Sequence, residues 1–267
     1  MKKHLKMLMT AVLLFAALMM TGCQPEDDPQ NEGGDNGGNH PTEGIINGHA
    51  YVDLGLPSGT LWATCNVGAA RPEECGKYYA WGETSTKESY YDYSYVFGCV
   101  HVYGMLDYND KFTYTKYCTD PSYGYHGFSD TLTILELVDD AALANWGGGW
   151  RIPSPEEFRE LFANCNWSVS TQNGVRGMKV SASNGNSVFF PAAGYKLFQF
   201  VNEVENGQGF YWMNTTFWND CRKAWSLYFD PSIEPFVWSP NTEGTLFHPE
   251  DRCAGFSVRP VHTATRE

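Results

Sequence analysis

Eight cysteines, two adjacent aspartates and a scatter of histidines are the residues of this 267-residue chain with the chemistry to bond, ligate or catalyse. Beyond Cys23 lie Cys65, Cys75, Cys99, Cys118, Cys165, Cys221 and Cys253, an odd number that cannot all pair within one chain. Even with one left free, the others allow many connectivities, so spacing assigns no disulfide. The alternative for any of them is a free, buried thiol packing as a small hydrophobe. No C-x-x-C pair or clustered histidine accompanies them, and no zinc site is read. Cys253 follows Arg252, a neighbour that begins the electropositive setting a reactive thiol needs. His101, His126, His248 and His262 have neither metal-ligand spacing nor a serine or acid partner. Asp139-Asp140 could hold a cation, but two acids ahead of Ala141-Ala142-Leu143-Ala144 better suit the positive end of a helix. The chain offers no catalytic constellation.

Cys23 has a different setting. Lys2, Lys3 and Lys6 precede an apolar run from Leu8 to Met20, which has signal-peptide rather than membrane-spanning length. The segment Met20-Thr21-Gly22-Cys23 resembles the lipobox of bacterial lipoproteins. That resemblance implies removal of residues 1–22 and acyl chains on the Cys23 thiol and new amino group. Each buried methylene contributes roughly 0.8 kcal/mol, so several chains together anchor stably. Gln24 to Glu43 then contains no aliphatic or aromatic residue and reads, within residues 23–44, as a flexible acidic tether with a reach of roughly 25 Å. Its opening acids Glu26, Asp27 and Asp28 resemble the signal that sends lipoproteins of Bacteroides-type bacteria to the outer face. The expected location is the bacterial outer membrane, on the cell surface. No later segment is apolar for long enough to span a bilayer, so the membrane is met only through the lipid.

Charge narrows the partners. Residues 1–22 hold three lysines and no acid, so their removal takes the net charge from −13 to −16. Such a field repels phosphate backbones and anionic headgroups, which argues against nucleic acid or an electrostatic membrane patch as partner.

From Ile45 to the end, residues 45–267 read as one domain. Aromatic residues make up 15% of the chain and glycine is plentiful, which suits short strands and many turns. Strands are expected over Ala50–Leu54 and Thr60–Thr64 around the turn Pro57-Ser58-Gly59, and over Lys77–Gly82. Tyr90 to Tyr125 has no clear period and reads as a long irregular insertion, the kind of segment that serves a site. Ser154-Pro155-Glu156-Glu157 opens a helix with a cap, a first-turn proline and a capping-box carboxylate, and Phe158, Leu161 and Phe162 fall on one face. A shorter helix runs from Asp139 or Asp140 toward Trp146, and Gly147-Gly148-Gly149 separates the two. Strands return over Trp167–Thr171, Met178–Ala182, Ser187–Phe190, Gly209–Met213, Ala224–Phe229 and Gly255–Val261, with Asn-Gly turns between the first three. The order indicates an α+β fold. Trp62, Trp81, Trp146, Trp150, Trp167, Trp212 and Trp225 are expected in the core, with Arg151 and Arg259 as structural donors.

Six blocks, YVDLGLPSGTLWATCNVGA (51–69), YYAWGET (78–84), WGGGWRIPSPEEFREL (146–161), FFPAAGY (189–195), FYW (210–212) and GFSVRPV (255–261), together resemble the Fibrobacter succinogenes major paralogous domain. That family is similar to C-type-lectin-like domains. The likeness implies first and last strands lying together, two helices beside a small sheet, and long loops on the far side. The insertion from Tyr90 to Tyr125 and the many cysteines depart from the pattern.

Two chemistries follow from the same scaffold. Formylglycine-generating enzymes resemble this chain at Trp150-Arg151-Ile152-Pro153-Ser154 and Gly255-Phe256. By that likeness a thiol pair would lie near the last strand, where Cys253 has no sequence-adjacent partner and Cys221 could face it only by folding. In lectins, Trp-Asn-Asp marks a calcium and sugar site, and Trp218-Asn219-Asp220 matches those words. Asn and Asp supply hard oxygens for calcium, tryptophan supplies an apolar face, and Glu203, Glu205 and Asn206 are candidate contributors. The competing reading is a plain turn before Ala224. No cofactor is expected apart from calcium at that site.

The sequence is thus read as a surface-anchored lipoprotein whose non-catalytic domain binds an extracellular glycan or protein through loops including Tyr90–Tyr125 and Gly194–Asn206. A structural component of a surface appendage or coat is the alternative, and a thiol enzyme the minor one.

Overall fold

Turn chemistry sets the first sheet of the computed structural model, which describes residues 43–98, 112–202, 207–232 and 246–263. β1 (Glu43–Ile46) and β2 (His49–Asp53) join through Asn47 and Gly48, both at positive φ, as a tight two-residue hairpin requires. Glu43 and Gly44, which composition assigns to the tether, pair with Val52 and Tyr51. A ladder is built from backbone groups and needs no apolar side chain. β3 (Thr60–Ala63) follows the expected turn and pairs with β2, and β4 (Tyr78–Tyr79) is shorter than its expected span.

The two expected helices form for local reasons. α1 (Ala141–Trp146) is capped by Asp140, whose Oδ1 accepts the N–H groups of Ala142 (2.8 Å) and Leu143 (3.1 Å). Its Oδ2 accepts the Ile152 N–H at 2.8 Å, so one buried carboxylate ties the helix to the segment entering the next. Burial nevertheless raises the Asp140 pKa above its usual value, against those three hydrogen bonds. α2 (Pro155–Asn164) opens on the capping box: the Ser154 hydroxyl accepts the Glu157 N–H, and the Glu157 carboxylate accepts the Ser154 N–H. Phe158, Leu161 and Phe162 are buried along one face. Between the helices Gly147, Gly148 and Gly149 all take positive φ, and a Cβ on Gly148 would lie 2.5 Å from that of Asn47.

The remaining strands are β5 (Cys165–Gln172), β6 (Val175–Ala182), β7 (Ser187–Pro191), β8 (Tyr195–Leu197), β9 (Phe200–Asn202), β10 (Gly209–Thr216), β11 (Lys223–Phe229), β12 (Phe247–Asp251), β13 (Phe256–Ser257) and β14 (Val261–Thr263). They form a meander β5-β6-β7, a hairpin β8-β9, a sheet ordered β12-β11-β10-β13-β4, and the first sheet ordered β1-β2-β3-β14. Among these strand pairings only β10 with β13 is parallel. Among the described residues, mostly antiparallel sheets with two α-helices make this an α+β fold. No helix of the described residues is long and apolar enough to cross a membrane.

The closing segment, expected as one strand over Gly255–Val261, splits between two sheets. Pro260 has no N–H to extend a ladder. Arg259, fully buried, sends its guanidinium across the break to the carbonyls of Ala63, Thr64 and Phe189 and to Asn66 Oδ1, at 2.8–3.1 Å. Arg151 bonds Glu157 through two nitrogens and reaches the Thr263 hydroxyl, while its backbone pairs with Val261. Trp62, Trp81, Trp146, Trp150, Trp167 and Trp212 are buried as expected, and Trp225 is half-buried against the core.

The Glu157 pair has a pH signature. Burial alone would raise its carboxyl, but Arg151 and Ser154 outweigh burial and hold the pKa below its ordinary 4.5. A depressed carboxyl contributes stability that is present above the unfolded-state value and disappears as pH falls through the folded-state value. Glu157→Gln should therefore cost about 1–2 kcal/mol at neutral pH. That deficit should shrink as pH drops below about 4.5. Urea unfolding of both proteins from about pH 2.5, below the ordinary glutamate range, to about pH 7, well above it, measures it; a pH-independent deficit would refute the assignment.

Candidate binding cleft

Arg252 organises the tyrosine-rich insertion. It follows β12 directly and is fully buried. Its Nε donates to the Tyr95 hydroxyl (3.0 Å), Nη1 to the carbonyls of Tyr117 (3.1 Å) and Cys221 (2.8 Å), and Nη2 to the carbonyl of Lys116 (3.0 Å). The guanidinium also lies 4.8–5.2 Å from the ring centroids of Trp81, Tyr95 and Tyr114. Planar donors and aromatic faces replace its hydration. The Tyr95 hydroxyl in turn donates to the Trp81 carbonyl at 2.7 Å. The described parts of a segment with no hydrophobic period, around Tyr95 and Lys116–Tyr117, are thereby fastened to the five-stranded sheet.

Fastening it leaves a cleft of about 480 Å³ between Gly82–Ser85, Tyr93–Phe97 and Asp139. Its acids are held in place. Glu83 accepts from Lys87 Nζ (2.8 Å) and the Val96 N–H (2.9 Å). Asp139 accepts from Lys116 Nζ (2.6 Å) and the Tyr117 hydroxyl, and does not cap the helix as its neighbour Asp140 does. Tyr93, 60% exposed, forms the lip. It stacks on Tyr91 at 4.8 Å, and Tyr91 meets Phe198 at 4.9 Å. Phe198 arrives there because Tyr90 and Phe198 exchange two backbone hydrogen bonds, at 2.7 and 3.0 Å. The two loops expected to form the binding face, Tyr90–Tyr125 and Gly194–Asn206, therefore meet in their described parts, at Tyr90–Tyr91 and Phe198. Phe198 and Phe200 extend the exposed aromatic surface along the β8–β9 hairpin.

Trp218-Asn219-Asp220 occupies the turn between β10 and β11. Phe217 N–H bonds the Lys223 carbonyl, and Lys223 N–H bonds the Asp220 carbonyl. The Asp220 carboxylate accepts Arg222 Nε (2.9 Å), Nη2 (2.7 Å) and the Arg222 N–H (3.0 Å). Those bonds hold its pKa below the usual carboxylate range. Arg222 also covers Tyr123 at 4.4 Å. The acid proposed as a cation ligand is thus engaged by an arginine two residues away, while Trp218 stands 72% exposed. Among the described residues no group of three His, Cys, Asp or Glu side chains could hold a metal ion. Glu203, Glu205, Asn206, His101 and Cys99 lie outside the described residues, as do Cys23, residues 1–22 and the tether up to Thr42.

Cys253 is buried and its thiol donates to Asp92 Oδ1 at 2.9 Å. Burial first, then Asp92, pushes its pKa well above the ordinary thiol range, the opposite of an activated nucleophile. Arg252 is turned away into its aromatic cage, and Cys221 faces Cys118. His262 Nε2 bonds the Gly148 carbonyl, and His248 stacks on Tyr228.

No protein-family model matches the chain, and no curated protein or solved structure matches it.

Proposed function

We propose that the protein is a lipid-anchored, surface-displayed binder of an extracellular glycan, with a C-type-lectin-like domain of the Fibrobacter succinogenes major paralogous kind. The observation that carries the binding role is exposed Tyr93, stacked on half-buried Tyr91 whose other neighbour is the tilted ring of Phe198, at the lip of a cleft whose lining includes Glu83, Asp139, Thr84, Ser85 and Ser94. A sugar ring presents C–H bonds on its faces, which the negative face of an aromatic ring attracts, and hydroxyls at its rim, which carboxylates and serines accept. Held acids and a pinned loop keep that surface in shape before the ligand arrives. The Trp218 turn is a second contact in which the indole covers an apolar sugar face. Binding there proceeds without calcium, because Arg222 already engages Asp220.

Support for the domain likeness comes from the six motif blocks and from the pairing of β14 with β3 in the sheet that opens the domain. Display on the outer membrane rests on Cys23, the preceding basic and apolar run, and Glu26, Asp27 and Asp28. Feeding cells an alkyne palmitate tests it. Label should enter the wild type and not Cys23→Ala, and external protease should reach the wild type on intact cells. Unlabelled wild-type protein recovered from culture fluid would overturn the anchor.

A further inference from the structure

Cys118 and Cys221 are separated by 103 residues, yet the fold brings their sulfurs to 3.0 Å. That is about 1 Å beyond a sulfur–sulfur bond of roughly 2.05 Å, and closer than two unbonded sulfurs rest comfortably. Both residues are buried in a cluster with Tyr90, Tyr95, Tyr114 and Cys253. The backbone around the pair is already fixed: Arg252 Nη1 donates to the carbonyl of Tyr117, next to Cys118, and to that of Cys221 itself. Asp130 accepts the Cys118 N–H at 3.0 Å. The third cysteine of the cluster, Cys253, has its thiol on Asp92.

We propose that Cys118 and Cys221 are joined by a disulfide in the exported protein. The proposal rests on the export reading above, since such bonds persist in oxidising compartments. The oxidant is a donor disulfide, either of a thiol oxidase or of glutathione. One cysteine thiolate attacks the donor, expelling the first donor thiolate and leaving a mixed disulfide. The second cysteine thiolate then attacks the mixed disulfide and releases the other donor sulfur. Two thiols lose two electrons and two protons, and one donor disulfide becomes two thiols. Because both cysteines are buried, the exchange takes place during folding or local opening. The bond fastens the insertion that carries Tyr93 to the hairpin that carries Trp218, closing a long loop in the unfolded chain.

The test refolds the full chain in reduced and oxidised glutathione, blocks remaining thiols with N-ethylmaleimide under denaturing conditions, and maps peptides by mass spectrometry. The expected product is a Cys118–Cys221 linked peptide, two hydrogens lighter than the separate pair. Reductant should lower the Tm of the wild type by about 10 °C. Cys118→Ser and Cys221→Ser should each show that loss without reductant and no further loss with it, whereas Cys165→Ser keeps the reductant response. Maleimide on both Cys118 and Cys221 after oxidative refolding, or a link from either to another cysteine, overturns the proposal. The same map on protein taken from cells separates the two readings. Acylated chain with both thiols blocked overturns the disulfide alone, whereas unacylated chain from cells that carries the Cys118–Cys221 link overturns the lipid anchor alone.

Discussion

Arg252→Met lowers the stability of the folded chain by about 3 kcal/mol and loosens one region selectively. Methionine fills much of the volume but donates nothing, so the carbonyls of Lys116, Tyr117 and Cys221 and the Tyr95 hydroxyl lose a buried donor together. Each unsatisfied buried group costs roughly 1–3 kcal/mol, offset in part because no charge remains to be desolvated. Arg252→Lys rescues little, since one ammonium cannot span acceptors that a planar fork reaches from three nitrogens. Hydrogen exchange gives the decisive readout. Amides over Tyr90–Phe97 and Tyr114–Cys118 should exchange far faster in Arg252→Met, while the β5–β6–β7 meander, which the arginine does not touch, keeps its protection. Equal loosening of both regions would contradict the pinning role.

Tyr93→Ala weakens ligand binding by tenfold or more while leaving folding stability within about 0.5 kcal/mol. Tyr93 is mostly exposed, so its removal takes little from the core. What it removes is the outermost ring of the stack at the mouth of the cleft. An aromatic ring that the ligand covers and desolvates on binding commonly contributes about 2 kcal/mol or more. Tyr93→Phe should retain most of the affinity, because the face and not the hydroxyl makes the contact. Calorimetric titration of wild type, Tyr93→Ala, Tyr93→Phe and Trp218→Ala with one bound saccharide ranks the surfaces, and Tyr93→Ala is expected to lose the most. Unchanged affinity in Tyr93→Ala would remove the cleft from the account.

Local chemistry made much of the scaffold legible. The α2 helix starts where Ser154, Pro155 and Glu157 say it must, because a capping box is complete within four residues. The β5–β6 hairpin turns at Asn173-Gly174 because both residues accept positive φ. Long-range contacts were not legible. Arg252 reaches Tyr95 across 157 residues, and nothing near Arg252 in sequence announces an aromatic cage. The β8–β9 hairpin is not legible in the sequence, because its strands span three residues each and its turn residue at positive φ, Phe198, is not a turn former. The split of the last strand depends on Arg259 finding carbonyls from three other segments. Conversely, the Trp-Asn-Asp order marks Asp220 as a cation ligand, whereas the fold gives its carboxylate to Arg222, two residues on.

A glycan array probed with the acylation-free wild-type chain, in calcium and again in chelator, tests the central claim most directly. The account predicts retention on a defined set of saccharides that is the same in both conditions and is lost in Tyr93→Ala. Absence of retention on every saccharide, together with self-association of the chain into ordered assemblies, would contradict it and favour a structural component of a surface coat.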